Sequence, residues 1–300
     1  NDFLRRTWAE IDLDVLTENY RAIRGAVPKE SMMCCVVKAD AYGHGAPTVA
    51  RLYQQLGADW FAVSNLEEAV QLRRSGIRRP ILILGYTPPE YADTLAQNNI
   101  IQGIVSAEYA CTLNARTRTP IRCHVKLDTG MGRIGITGDT PGDCADSIQD
   151  MSFLRNLKIE GIYTHFAVAD MPDDPEQNAY TEAQKQFIRS VGTELMKRGV
   201  HLKHLHYLNS AGVLYHNDAN STLARVGIIM YGLEPNYPVH VPMELQPVMS
   251  LRSVVSHVKQ VDAGTCISYG RTYTADKPRT IATVTIGYAD GYARCLSNRA

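Results

Sequence analysis

The sequence predicts an α/β protein built as an N-terminal (β/α)8 TIM barrel followed by a C-terminal all-β domain that is incomplete in this chain. Two observations carry that expectation. Short apolar runs alternate with segments of helical spacing over roughly 200 residues, and eight such units are the number that closes a parallel sheet into a barrel. From about Pro242 the helical spacing stops and β-branched segments follow one another directly. An open doubly wound sheet is the structural alternative. The predicted division is residues 1–11, a strand joining the β domain; 12–241, the barrel; and 242–300, the start of the β domain.

The elements follow from residue spacing. Thr7 to Asp14 alternates Trp8, Glu10 and Asp12 against Ala9, Ile11 and Leu13, a short strand, and Leu16, Tyr20, Ile23 and Val27 then recur at helical spacing. Met32 to Val37 is an apolar run of strand length with Lys38 at its tip, and Ala46 to Leu56 is helical. Trp60 to Ser64 is the second barrel strand, and Asn65 is a candidate N-cap for the helix opening at Leu66. Pro80 to Gly85 and Ile100 to Val105 are the third and fourth strands, parted by a helix that Pro88-Pro89 starts. Ile121 to Leu127, Leu157 to His165, Leu205 to Leu208 and Thr222 to Val226 complete the eight, with helices around Ala145 to Met151 and over Gln177 to Lys197. In the β domain, Val248 to Val261, Thr265 to Tyr273 and Thr280 to Tyr288 are strands bounded by turn residues such as Asp262-Ala263-Gly264 and Asp276-Lys277-Pro278.

Composition narrows the partners. Lys+Arg and Asp+Glu both number 31, so there is no global basic field to hold nucleic acid or an anionic membrane, and a small molecule or a second copy of the chain is the expected partner. The 7 cysteines are odd in number, show no CxxC spacing and include Cys34-Cys35 inside an apolar run. Buried free thiols in a reducing, cytoplasmic compartment are therefore expected, and a metal site is not. No apolar run reaches transmembrane length and no signal-peptide pattern opens the chain. The start at Asn1-Asp2 is compatible with a piece of something longer, including the cytoplasmic domain of a membrane-anchored protein.

In a TIM barrel the working residues sit at the C-terminal ends of strands, and the candidates fall there one strand after another. Apolar surroundings at a strand tip disfavour the charged form of Lys38, which suits Schiff-base chemistry; taken alone, a strand-end lysine is more commonly one that snorkels to solvent. The fifth strand ends at Lys126 in a loop whose Gly130, Gly132 and Gly135 allow close backbone approach to a ligand, and Arg133 there either binds an oxyanion or carboxylate or is solvated. His165 ends the sixth strand, as a hydrogen-bonded core residue or a catalyst. Ser210 follows the seventh strand at a helix start, as an ordinary N-cap or a phosphate contact, and Arg225, Gly227 and Ile228 end the eighth. The loops after strands seven and eight are the recurrent phosphate site of this fold. Tyr269, taken alone, is a strand aromatic packing on a neighbour.

The contiguous segment Val36-Val37-Lys38-Ala39-Asp40-Ala41-Tyr42-Gly43-His44-Gly45 resembles the signature of bacterial alanine racemases, pyridoxal 5'-phosphate (PLP) enzymes of the barrel fold type. The resemblance implies that Lys38 holds PLP as a Schiff base and that Tyr42 touches the cofactor phosphate. Lys126-Leu127-Asp128-Thr129-Gly130-Met131-Gly132-Arg133-Ile134-Gly135 is similar to the family's second signature. That similarity implies that Arg133 faces the PLP 3-oxygen and the substrate carboxylate, and that Lys126 is a carbamylated lysine positioning it. Thr164-His165-Phe166-Ala167 resembles the segment whose histidine links the catalytic tyrosine to a cofactor-facing arginine. Matched in the same way, Ser210, Gly227 and Ile228 join Tyr42 around the phosphate, and Arg225 faces the pyridine nitrogen. An arginine can only donate there, so the nitrogen stays unprotonated. Ser268-Tyr269-Gly270-Arg271-Thr272-Tyr273-Thr274-Ala275 resembles the segment whose first tyrosine is the second catalytic base, reaching across a homodimer interface. Tyr269 takes that role, with Tyr273 as the alternative, and Tyr288 of Gly287-Tyr288-Ala289-Asp290-Gly291 lines the substrate entry.

The resemblance thus implies a homodimeric racemase that interconverts L- and D-alanine through Lys38 and Tyr269 and supplies D-amino acid for peptidoglycan. Serine is the alternative substrate, as in the serine racemase of vancomycin resistance. Two competitors share the barrel. A PLP-dependent amino-acid decarboxylase would lack both KLDTGMGRIG and SYGRTYTA, and a non-catalytic PLP carrier would lack the β domain.

Overall fold

Strands with no polar face must be buried on both sides, and that requirement builds the barrel. The computed structural model describes residues 6–235 and 241–299. After β1 (Thr7–Ile11) and α1 (Leu13–Ala26) come β2 (Met32–Val36), the single turn α2 (Lys38–Gly43), α3 (Ala46–Gln55), β3 (Trp60–Val63), α4 (Leu66–Arg74), β4 (Ile81–Ile83), α5 (Ala92–Gln97) and β5 (Ile101–Ile104). Then follow α6 (Ala107–Arg116), β6 (Ile121–Lys126), α7 (Pro141–Ser152), β7 (Leu157–Tyr163), α8 (Pro175–Lys197), β8 (His204–His206), α9 (Ser210–Tyr215) and β9 (Leu223–Val226).

The eight strands β2 to β9 form one parallel sheet in the order β8-β7-β6-β5-β4-β3-β2-β9. The ladder is continuous except at β8 and β9, where the seam closes by other bonds. Thr222 N–H donates to Leu205 O at 2.8 Å and Arg225 N–H to Leu208 O at 2.9 Å. The hydroxyls of Ser221 and Thr222 accept from Tyr207 N–H and Leu205 N–H at 3.2 and 3.1 Å. Cys34, Val36, Trp60, Ala62, Leu82, Ile101 and Leu223 pack together as one buried cluster. Trp60 of β3 meets His204 of β8 with ring centroids 4.9 Å apart, a contact between strands that are not neighbours in the sheet and therefore one made across the barrel interior.

Several boundaries differ from the spacing, each for a local reason. The helix read around Ala145 begins at Pro141, because Thr140 and Asp143 form a reciprocal capping box. The long helix begins at Pro175, capped by Asp174, whose Oδ1 accepts from Glu176 N–H and Gln177 N–H. The cap of α9 is Asn209, and Ser210 is its first residue. The run Val248 to Val261 is two strands, β10 (Met249–Ser253) and β11 (Val255–Val261). Thr265 to Tyr273 is broken because Ser268, Gly270 and Arg271 all have positive φ, leaving β12 (Cys266–Ile267) and β13 (Tyr273–Thr274) on either side of a 3-10 turn. The last strand is β14 (Arg279–Val284).

The described backbone divides into two compact units, one of residues 13–248 and one of residues 6–12 with 249–299. In the second, β1 pairs antiparallel with β10, from Thr7 opposite Ser253 to Ile11 opposite Met249. There β11 pairs with β14, β12 pairs with β13, and Arg6 bonds Asp290 at 2.6 Å. Residues 1–5 of the predicted first strand, residues 236–240 at the end of the predicted barrel, and Ala300 lie outside the described residues. Among the described residues no helix is long and apolar enough to cross a membrane.

Candidate active site

β2 stops at Val36, and Lys38 opens a turn of the opposite hand to an α-helix. Ala39, Asp40, Ala41 and Tyr42 have φ between 50° and 55° and ψ between 36° and 52°, the left-handed helical region. Each L-residue there sets its Cβ against the following carbonyl oxygen, a cost of about 1–2 kcal/mol per residue. The turn swings Lys38 and Tyr42 to one side, with the ammonium nitrogen 6.0 Å from the Tyr42 ring centroid. Both line a pocket of about 280 Å³ with Leu84, Met131, His165, Ser210, Arg225, Gly227 and Ile228. The ends of six strands therefore converge on one opening.

Arg225 is the best-fixed group in it. It is 3% exposed, its Nη1 donates to His206 Nδ1 at 2.7 Å, and its Nη2 donates to Thr164 O at 2.6 Å. Because guanidinium only donates, His206 must accept at Nδ1 and keep its proton on Nε2, which bonds His124 Nδ1 at 2.9 Å. His124 then carries its own proton on Nε2. Burial, joined by the nearby Arg225 charge, holds both imidazoles well below their usual titration range, so this series stays neutral. Tyr163 is the floor beneath it: its ring stacks on His206 at 5.0 Å and 9°, and lies 5.4 Å from Arg225 Cζ and 5.9 Å from Lys126 Nζ.

Positive charges crowd the site. Burial is the first cause lowering the pKa of Lys38, followed by the Arg133 charge, with Glu68 opposing. Lys126, 3% exposed and donating to Leu127 O at 2.8 Å, is pushed down to about 8 by burial and then by the Arg225 charge. His165 is lowered to about 3 by burial and by Arg225, Lys126, Arg133 and Lys38. Arg133 stands exposed on the loop after β6, whose shape is set by Asp128 Oδ1 accepting from Gly130 N–H and Gly132 N–H. Across the pocket, Ser210 Oγ accepts from Gly227 N–H at 3.0 Å. A Cβ on residue 227 would fall 2.6 Å from Tyr42 Oη, so only glycine leaves that hydroxyl its place.

The structure thus brings Lys38, Tyr42, His165, Ser210, Arg225, Gly227 and Ile228 to one pocket, with Lys126 buried near Arg225, while Arg133 is outside the lining and exposed, its charge reaching Lys38. Tyr269 and Tyr288 belong to the other unit, each at the start of a 3-10 turn, 82% and 65% exposed. The side chain bonded to Arg225 is His206, which the motif reading passed over in favour of His165. Gln184 was missed as well. From α8 its Oε1 accepts from Ala167 N–H at 3.0 Å, and its Nε2 donates to Thr129 Oγ1 and His165 O at 3.2 and 3.3 Å, tying two pocket loops together.

Comparison with known proteins agrees with this geometry. The family model for the alanine racemase N-terminal domain matches residues 11–235, and that for the C-terminal domain matches residues 248–300. An alanine racemase of Symbiobacterium thermophilum is 40% identical over 302 aligned residues, covering 100% of this chain and 78% of that protein. A solved alanine racemase of Clostridium difficile superposes with a TM-score of 0.91 at 38% identity, over 98% of this chain and 76% of the other. A histidine racemase of Leuconostoc mesenteroides superposes at 0.86 with 28% identity, over 98% and 77%, so the same barrel accompanies different substrate side chains. With both domains matched and the lysine motif at the mouth of the first barrel strand, this chain belongs to the alanine racemase family of isomerases.

Proposed function

We propose that the protein is a PLP-dependent racemase interconverting L- and D-alanine, working as a homodimer in which Tyr269 of one copy completes the pocket of the other. The observation that carries this reading is the convergence of Lys38, Tyr42, Ser210, Gly227 and Arg225 on one pocket. The donor set suits the cofactor. Lys38 offers an amine with a lowered pKa, the hydroxyls of Tyr42 and Ser210 flank the glycine cradle at Gly227 where a phosphate would sit with Ile228, and Arg225 would face the ring nitrogen. When bound, PLP supplies an electron sink that acidifies the substrate Cα–H.

The chain's own groups divide the remaining work. Lys38 Nζ takes or returns the Cα proton on one face, and Tyr269 Oη does so on the other, so that the centre inverts. Arg225 can only donate, so facing it the ring nitrogen would stay unprotonated and the electron sink mild. Arg133 holds the substrate carboxylate. The neutral amine of Lys126 adds CO2 and releases a proton, and the resulting carbamate anion orients Arg133. His165 orients Tyr269, and Tyr288 lines the entry. The expected place of the product is the supply of D-alanine for peptidoglycan, with serine as the alternative substrate.

Incubation of the full chain and PLP with L-alanine and L-serine, followed by chiral chromatography, tests this. D-alanine is the expected product, abolished in Lys38→Ala and slowed by about 100-fold or more in Tyr269→Phe, the scale of a lost general acid–base. Full activity of Tyr269→Phe in both directions would end the two-base assignment. Faster turnover of serine than alanine would move the substrate assignment, and release of CO2 would replace racemisation by decarboxylation.

A further inference from the structure

A left-handed turn of four L-residues does not persist unaided, and three side chains tie this one down. His44 Nδ1 bonds the carbonyl oxygens of Ala41 and Tyr42 at 2.9 and 3.0 Å; both accept, so that nitrogen carries the proton. Asp40 Oδ1 accepts from Ala46 N–H at 2.7 Å, joining the turn to α3. The third tie comes from outside the segment. Glu68, in the first turn of α4, accepts from Ala39 N–H through Oε1 at 2.8 Å, and through Oε2 from Ser64 N–H at 2.7 Å and Ser64 Oγ–H at 2.9 Å. One carboxylate thus bridges the first peptide after Lys38 and the residue just beyond β3. Because β2 ends at Val36, Lys38 has no ladder of its own, and the preceding backbone bond to β3 is Val37 N–H to Ala62 O at 2.9 Å. The mount of the lysine is therefore held on one side by that bond and on the other by Glu68.

We infer that Glu68 is the positioning residue for Lys38, clamping the left-handed turn to the end of β3 so that the amine points into the pocket. The inference rests on the reading of Lys38 as the amine that binds the cofactor. Its charge acts the other way, opposing the burial and the Arg133 charge that lower the Lys38 pKa, so the positioning is the work of its hydrogen bonds.

Hydrogen exchange and chemical trapping on the full chain test it together. Wild type, Glu68→Ala and Glu68→Gln are compared by the exchange rate of peptides spanning residues 38–45, and by the fraction of Lys38 carrying a pyridoxyl label after PLP and borohydride. Loss of both arms in Glu68→Ala is expected to speed exchange in 38–45 by about tenfold or more, the scale of a lost charge-assisted bond, and to cut labelling of Lys38 severalfold. Peptides from β4 and β5 keep their rates. The amide of Glu68→Gln keeps an oxygen for Ala39 N–H but offers no second acceptor to Ser64, so this variant restores a large part of the label; a residue needed only for folding would give no such graded recovery. Wild-type exchange and labelling in Glu68→Ala would overturn the clamp. If Glu68→Ala does not fold, Glu68→Gln and Ser64→Ala carry the same two measurements, and wild-type values in both would overturn it. Absence of label on wild-type Lys38 would instead remove the cofactor reading, while the exchange rates would still decide whether Glu68 holds the turn.

Discussion

Lys126 is a cation that its surroundings disfavour, and the consequence is measurable. Its pKa falls from 10.5 to about 8 through burial and the Arg225 charge. Between those values the unfolded chain holds a proton that the folded chain has released, so stability rises with pH across that window and the penalty is complete below about 8. In CO2-free buffer, Lys126→Met is expected to melt above wild type at pH 7, by an amount on the order of 3 kcal/mol, with the gap closing toward pH 10. With 13C-bicarbonate, wild type should show one carbamate resonance that Lys126→Met lacks; its absence would remove the proposed modification. His206 is the second residue with a sharp consequence. His206→Phe strips Arg225 Nη1 of its acceptor and leaves a buried charge short of a partner, a loss of about 1.5–3 kcal/mol read from the denaturant midpoint. Neither histidine of that series was legible in the chain, because His124 sits inside β6 and His206, the last residue of β8, fell inside the run Leu205 to Leu208 read as a strand, where a lone histidine looks like any core residue.

At the scale of elements, α8 is the part that holds the pocket loops from behind. Gln184 and Tyr180 on it bond the loop after β6, through Thr129 Oγ1 and Gly130 O, and Gln184 also bonds the loop after β7. Gln184→Leu leaves Ala167 N–H and His165 O without that partner, and a fall in kcat larger than the change in melting temperature is expected from steady-state kinetics beside thermal denaturation. The cap of α7 offers a plainer case: Thr140→Ala should cost about 1 kcal/mol with kcat unchanged. Much of this level was legible. Apolar runs located all eight barrel strands, and the glycines of residues 130–135 announced the loop after β6. The handedness of residues 39–42 was not, because a left-handed turn is normally advertised by glycine or asparagine and this one is Ala-Asp-Ala-Tyr, held by Glu68 and His44 against its own preference. Gln184 was hidden for another reason: a glutamine in a polar-rich helix reads as solvent-facing until the fold shows it 1% exposed.

At the scale of the whole molecule, the proposed sharing of a pocket between copies makes a prediction that single variants cannot. Lys38→Ala and Tyr269→Phe are each expected to be nearly inactive, yet a mixed dimer joins an intact Lys38 from one chain to an intact Tyr269 from the other. Random re-association of equal amounts should therefore return roughly a quarter of wild-type activity, since half the dimers are mixed and each has one working site of two. No recovery on subunit exchange would place both groups within one chain. The path of the backbone has a mechanical consequence as well. Ile11 and Met249 are paired, and everything from Leu13 to Val248 is strung between them. A pull applied at the two chain ends meets the ties of Arg6 to Asp290 and of Thr7 to Thr285, then peels the ribbon open from Thr7 opposite Ser253 one bond at a time toward Ile11. Until that ribbon parts, the barrel segment lies outside the line of tension, like slack behind a closed zip, and a force-extension trace should show a small early step before any release of its length.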